Sequence, residues 1–173
     1  MTVEPNSDAT ALVRAATAGD AVAFGRLFER FAPMVHGVLL SRVPSADADD
    51  LTQEVFMVAQ GRLTELHRPE AFGAWLGAIA RNRATDFLRR RKPHAELSFE
   101  VPSQDPERSA AEQALHAIRS LPEAYVEPLI LRLVEGMTGP EIAERTGLTP
   151  ESVRVNLHRG MRLLRERMRS DDE

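Results

Sequence analysis

Leu133-Val-Glu-Gly136-Met-Thr138-Gly-Pro-Glu141-Ile142-Ala143-Glu-Arg-Thr-Gly147-Leu148-Thr149-Pro150-Glu-Ser152-Val153-Arg154-Val-Asn156-Leu157-His158-Arg159 reads as two short helices around a tight turn. Ile142 and Ala143 give the first helix an apolar side. Gly147 can adopt the left-handed conformation that ends it. Thr149 suits an N-cap, and Pro150 suits the first position of the next helix. Val153, Leu157 and Leu164 recur at roughly helical spacing and bury one side. The other side carries Arg154, Asn156, His158 and Arg159, then Arg162, Arg165, Arg167 and Arg169. Such a helix-turn-helix can lay its basic second helix in a DNA major groove, with its N-terminal residues at the base edges. A plain helical hairpin with a solvated arginine face has the same pattern, and this segment alone leaves that alternative open.

Charge is unevenly spread along the 173 residues. The formal net charge is −4, which by itself argues against nucleic acid. Yet residues 62–92 hold eight Lys or Arg against three acids, and residues 152–169 hold six Arg against Glu166 alone. Residues 1–61 reverse the balance, with four Arg against eight acids. Two basic patches behind an acidic region predict DNA contact at two places and a different partner elsewhere. The chain has no cysteine, so disulfides and thiolate metal sites are excluded. The five histidines stand apart, with no close helical pair suited to zinc. No cofactor or metal is expected. No apolar run is long enough to span a bilayer, and Met1 to Asp20 is acidic and polar, unlike a signal peptide. The expectation is a cytoplasmic protein without membrane insertion.

Hydrophobic spacing predicts helices throughout, and no stretch has the period-two alternation of a strand. Asp8 or Ser7 can cap a first helix carrying Leu12, Val13 and Ala16. Gly19-Asp20 stops it and caps the next, which carries Phe24, Leu27, Phe28, Phe31, Val35, Val38 and Leu39, with a kink expected at Pro33. After Pro44-Ser45, Asp47, Asp49 and Asp50 fall in the first turns of a third helix, where its dipole favours negative charge. Leu51, Val55, Val58 and Ala59 form that helix's buried stripe; Gln53, Glu54 and Met57 share an exposed side. A connector over about Thr64 to Glu70 leads to a fourth helix, roughly Ala71 to Arg91. There Phe72, Trp75, Leu76, Ile79 and Ala80 pack on one side and the arginines lie away from it. Asn82 and Asp86 can hydrogen-bond as i,i+4 neighbours. Trp75 suits core packing better than base stacking. Residues 92–105 hold prolines and serines without a helical stripe, which predicts a flexible linker. Further helices, with Pro128 inside one of them, then scaffold the helix-turn-helix.

Asp50-Leu-Thr-Gln53-Glu54-Val55-Phe56, followed by Phe72-Gly-Ala-Trp75-Leu76-Gly-Ala-Ile79-Ala80-Arg81-Asn82-Arg-Ala-Thr-Asp86-Phe-Leu-Arg89-Arg90, resembles conserved region 2 of RNA polymerase sigma factors of the extracytoplasmic-function type within the sigma-70 family. Leu121-Pro122 through Leu164 resembles their region 4. The resemblance implies an all-α chain of two small helical domains. A region 2 bundle would span 8–91, a flexible linker 92–105, and a region 4 helix-turn-helix 106–170. It implies a dissociable initiation subunit of RNA polymerase. Region 2 would bind the clamp of the largest subunit and recognise and melt the minus-ten element. Region 4 would bind the flap of the second-largest subunit and read the minus-thirty-five element. Carried over, Asp50, Gln53 and Glu54 fall on the clamp-binding face. Asn82, Arg83, Asp86, Arg89 and Arg90 fall in the minus-ten helix, and Ser152, Arg154, Asn156, His158 and Arg159 on the minus-thirty-five helix. The connector resembles the loop that captures an unstacked base. The implied partners are core polymerase, promoter DNA and an anti-sigma factor. The chain departs from the common pattern at Asn156, often basic in the family, and at Gly160, often alanine; Gly160 suggests a bend or a close contact.

A stand-alone helix-turn-helix regulator, binding palindromic DNA as a dimer, is the main alternative. It leaves the Asp50–Phe56 face and the second basic patch without a purpose. A nucleic-acid enzyme would need a metal-binding carboxylate cluster or an activated nucleophile. Asp47, Asp49 and Asp50 are explained by the helix dipole and have no histidine or lysine companion in the sequence, so no catalytic residue is expected. An adaptor that binds only another protein is the third alternative.

Overall fold

Gly19 and Asp20 behave as their chemistry requires. Gly19 takes φ +97°, ending α1 (Pro5–Thr17), and the Asp20 carboxylate accepts hydrogen bonds from the N–H groups of Val22 and Ala23, capping α2 (Ala21–Leu40). α2 continues through Pro33. Pro44 precedes α3 (Ser45–Gly61). Two single 3₁₀ turns, Leu63–Glu65 and Pro69–Ala71, make the connector to α4 (Phe72–Arg91). The second half of the chain holds α5 (Pro106–Arg119), α6 (Glu123–Leu133), α7 (Gly139–Thr146) and α8 (Pro150–Asp171). This computed structural model describes residues 5–91 and 106–171, and no strand occurs among them. The expected linker, 92–105, lies outside the described residues.

α2 is the axis of the first lobe and packs against α1, α3 and α4. Its Leu27, Phe31, Met34, Val35 and Val38 are buried among Val13, Val55, Phe72 and Leu76. Phe31 meets Phe72 edge-on at 5.0 Å between ring centroids, a favoured aromatic geometry. Trp75 is partly buried beside Phe72 and serves the core, as its spacing suggests.

In the second lobe α8 packs on α6 and α7, burying Val126, Leu129, Ile130, Ile142, Val153 and Leu164. Gly160 explains the tight α6–α8 crossing. A Cβ at that position would lie 2.9 Å from Leu129 Cδ1 and 3.1 Å from Tyr125 Cβ, so the glycine marks a close contact.

The lobes do not stand apart. α6 and α7 pack across α2 and α4, and the apolar interiors of both lobes join in one continuous cluster. Arg81 of α4 grips Glu127 of α6 with two hydrogen bonds, Nη2 to Oε1 at 2.5 Å and Nε to Oε2 at 3.0 Å. Arg119 of α5 donates to the carbonyls of Leu40 and Val43, satisfying one acceptor that the end of α2 leaves over and one in the turn that follows it. The linker composition suggests lobes that move independently. The seam differs because it joins residues far apart in sequence, which no local pattern reveals.

Candidate nucleic-acid and polymerase interfaces

The turn between α7 and α8 is fixed at both ends. Thr138 and Glu141 form a reciprocal capping box at the start of α7. The Glu141 carboxyl is held below its usual range by the Thr138 backbone N–H and then by the Thr138 hydroxyl. Gly147, at φ +75°, ends α7 in the left-handed conformation. The Thr149 hydroxyl oxygen accepts from the Ser152 N–H at 3.1 Å and caps α8. Val153 then turns inward, at 1% exposure. Arg154, His158 and Arg162 follow at four-residue steps on the outer face, and all are exposed, as are Ser152 and Arg159. Asn156 is half-buried at the edge of this face. The Ser152 hydroxyl lies 2.8 Å from the Thr149 hydroxyl, so it takes part in the cap. The outer face is therefore a rigid cationic stripe beginning at a helix N-terminus, the form that enters a major groove.

α4 presents a second cationic surface, tempered by carboxylates. Asn82, Arg89 and Arg90 are exposed. Arg89 bonds Asp86 one turn earlier, in place of an Asn82–Asp86 contact. Arg83 bonds Glu54 of α3, and Arg91 meets Asp47 at 2.8 Å. Arg90 has no carboxylate partner among the described residues. The connector turn at Leu63 and Thr64 edges an open crevice shared with Thr17, Asp20 and Phe24, and no α4 residue lines it. Arg62–Glu65 and Arg68–Glu70 ion pairs brace the connector from either side.

The α3 face carries Asp50 and Gln53, both exposed, one turn apart. Met57 continues the same face at 71% exposure, which is unusual for a side chain of its size and polarity. Glu54, expected beside them, is engaged by Arg83. Helical spacing places Glu54 toward the surface but cannot show that a neighbouring helix supplies its partner. Met57 is the complementary case: its exposure follows from spacing. No group of three or more His, Asp or Glu able to hold a metal occurs among the described residues. No helix among them is long and apolar enough to cross a membrane.

Two family descriptions match the chain in order: Sigma-70 region 2 over residues 27–94, and Sigma-70 region 4 over 111–164. The ECF RNA polymerase sigma factor RpoE of Cereibacter sphaeroides is 33% identical, over 86% of this chain and 88% of its own length. The chain belongs to the extracytoplasmic-function group of the sigma-70 family. Another relative, the probable RNA polymerase sigma factor RfaY of Xanthomonas campestris pv. campestris, is also 33% identical over 88% of this chain. The chain spans only 42% of that protein's length. The fold is shared with CnrH, solved in complex with the cytosolic domain of CnrY. The TM-score is 0.67 at 24% identity, covering 95% of this chain and 99% of that one. In sigma-70 terms, most of α2 and all of α3 and α4 lie in the region 2 match, and the turn between α7 and α8 lies in the region 4 match.

Proposed function

We propose that this chain directs promoter-specific initiation by core RNA polymerase, with the lobe spanning 8–91 acting as region 2 and that spanning 106–170 as region 4. Residues 92–105 would tether them. The observation that carries this reading is the coexistence of two separate basic helices, α4 and α8, with a third surface that is acidic and apolar. A stand-alone regulator needs one reading helix; two such helices and the Asp50–Gln53–Met57 face suit a protein that meets DNA twice and polymerase as well.

Asp50 and Gln53 would bind the clamp, with Met57 supplying apolar area and Glu54 holding Arg83 in place. Arg154, Asn156, His158 and Arg159 would read the minus-thirty-five duplex, and Ser152 would set the start of their helix. Asn82, Arg83, Asp86, Arg89 and Arg90 would line the minus-ten side. Extruding a base costs a few kcal/mol. Phosphate contacts from a basic helix, together with capture of the base by the connector, would offset part of it. The chain would have no reaction of its own. An inhibitor protein covering the polymerase-binding faces belongs to this reading. The sequence has no cysteine for a thiol switch, so such a partner, or control of synthesis, would bring the signal.

Electrophoretic mobility shift separates this reading from the stand-alone regulator. With the chain alone, promoter DNA should shift weakly and lose its shift steeply as salt rises. With core polymerase added, a sequence-specific complex should form at much lower concentration, because two tethered contacts act together. A tight dimeric shift on palindromic DNA without polymerase would favour the regulator.

A further inference from the structure

Four of the five arginines of α4 face a carboxylate. Arg81 is held by Glu127, Arg83 by Glu54, Arg89 by Asp86 and Arg91 by Asp47. Two of those carboxylates, Asp47 and Glu54, come from α3, the helix that also carries the exposed Asp50, Gln53 and Met57. Helical spacing sets Glu54 one turn beyond Asp50 and two turns beyond Asp47. It therefore stands on the boundary between the exposed face of α3 and the side that meets α4. Its side chain keeps 46% exposure even while bonded to Arg83, whose own exposure is 27%. A cation arriving from outside can reach the same carboxylate that Arg83 holds from within.

The Arg83 side of the pair is incompletely satisfied. Its Nη2 donates to Glu54 Oε2, but the Nε–H is buried and meets no acceptor among the described residues. A buried donor without a partner is destabilising, so this guanidinium sits where only part of its fork is used. Arg90 lies two turns further along the same row of α4, exposed and without a carboxylate partner among the described residues. An Arg83 side chain released from α3 stays on that row, on the surface that the minus-ten strand would follow.

We propose that Glu54 and Arg83 form a relay between the polymerase face of α3 and the DNA face of α4. A cation of the polymerase clamp draws the Glu54 carboxylate outward, and the freed Arg83 guanidinium turns to a phosphate of the minus-ten strand. This step deepens the proposed function and rests on it. Glu54 exchanges one cation for another. Arg83 exchanges a carboxylate for a phosphate, which can accept from two of its N–H groups at once. The internal pair has to break for either ligand to bind, so each ligand removes an obstacle for the other. Such coupling is reciprocal and typically amounts to about 5–150-fold in affinity. Arg90 has no carboxylate to lose, so its phosphate contact is independent of polymerase.

Two measurements on the full chain test the relay. Fluorescence anisotropy with a short labelled oligothymidine reports phosphate contacts of the free chain, whatever the promoter sequence. Glu54→Gln should tighten that binding about fivefold. It should also steepen the log–log salt dependence by about 0.7, the share of one added phosphate contact on a single strand. The gain should vanish when Arg83→Gln is added, whereas a general effect of the lost negative charge would persist. Titration with core polymerase gives the second readout. Arg83→Gln should bind core about fivefold more tightly, since no internal cation competes for Glu54, and yet slow promoter opening about tenfold. Arg83→Lys, which keeps the charge on a flexible stem, should leave core affinity near native and open promoters better than Arg83→Gln. An Arg83 that merely orients Glu54 would weaken core binding on substitution. Weaker or unchanged core binding by Arg83→Gln, or a Glu54→Gln gain that survives in the double variant, would overturn the relay and leave the proposed function standing. Failure of the native chain to bind core polymerase would instead bring down the proposed function, and the relay with it.

Discussion

Asp50→Arg should lower affinity for core polymerase by about two orders of magnitude while leaving the thermal melt nearly unchanged. Asp50 is exposed, one turn before Gln53 and two turns before the exposed Met57. None of the ion pairs among the described residues uses it, so its removal breaks none of them. At a protein interface, removing one member of a charge pair typically costs 2–5 kcal/mol, and reversal adds repulsion; about 2.7 kcal/mol corresponds to a hundredfold. Surface changes of this kind usually alter stability by less than about 0.5 kcal/mol. Glu54→Arg is a poorer probe, because it would also place two cations together at Arg83. Pull-down on core polymerase measures the effect, with circular dichroism as the control for folding. Retention of full binding by Asp50→Arg would remove α3 from the polymerase interface.

The two basic helices should fail in different ways. Arg154→Ala should cost about 1–3 kcal/mol at one upstream position and relax preference there, as loss of a base-edge contact does. Duplex binding to a promoter with that base already changed should be little affected. Arg89→Ala with Arg90→Ala should leave closed-complex formation largely intact and slow opening about tenfold. Arg90 is the more informative of the two, since Arg89 already shares its guanidinium with Asp86. Permanganate reactivity of thymines near the minus-ten element reports opening, and a panel of mutated promoters reports upstream preference. Loss of opening alone in both variants would contradict the division between α4 and α8.

Short-range chemistry accounts for what the sequence makes legible. Gly147, Thr149 and Pro150 specify the turn before α8 within a few residues of one another, and Gly19-Asp20 does the same before α2. The apolar periods place Leu27, Phe31 and Val35 inside and Arg154 and His158 outside. The capping box at Thr138 and Glu141 was also within reach, because the Thr-x-x-Glu spacing is its signature. Long-range pairing was not. Arg83 and Glu54 lie 29 residues apart, Arg81 and Glu127 lie 46 apart, and Arg30 and Glu144 lie 114 apart. Spacing shows which way each side chain leaves its helix, while its partner depends on how whole helices cross. Gly37 and Gly73 illustrate the same limit, for they look like weak points in helices until α6 and α7 are seen against them.

Run-off transcription by core polymerase on a genomic promoter library, with and without this chain, tests the central claim most directly. The account predicts transcripts that appear only when the chain is added, from promoters sharing one minus-ten and one minus-thirty-five sequence at fixed spacing. Identical transcript profiles with and without the chain, under conditions where it binds core polymerase, would contradict it.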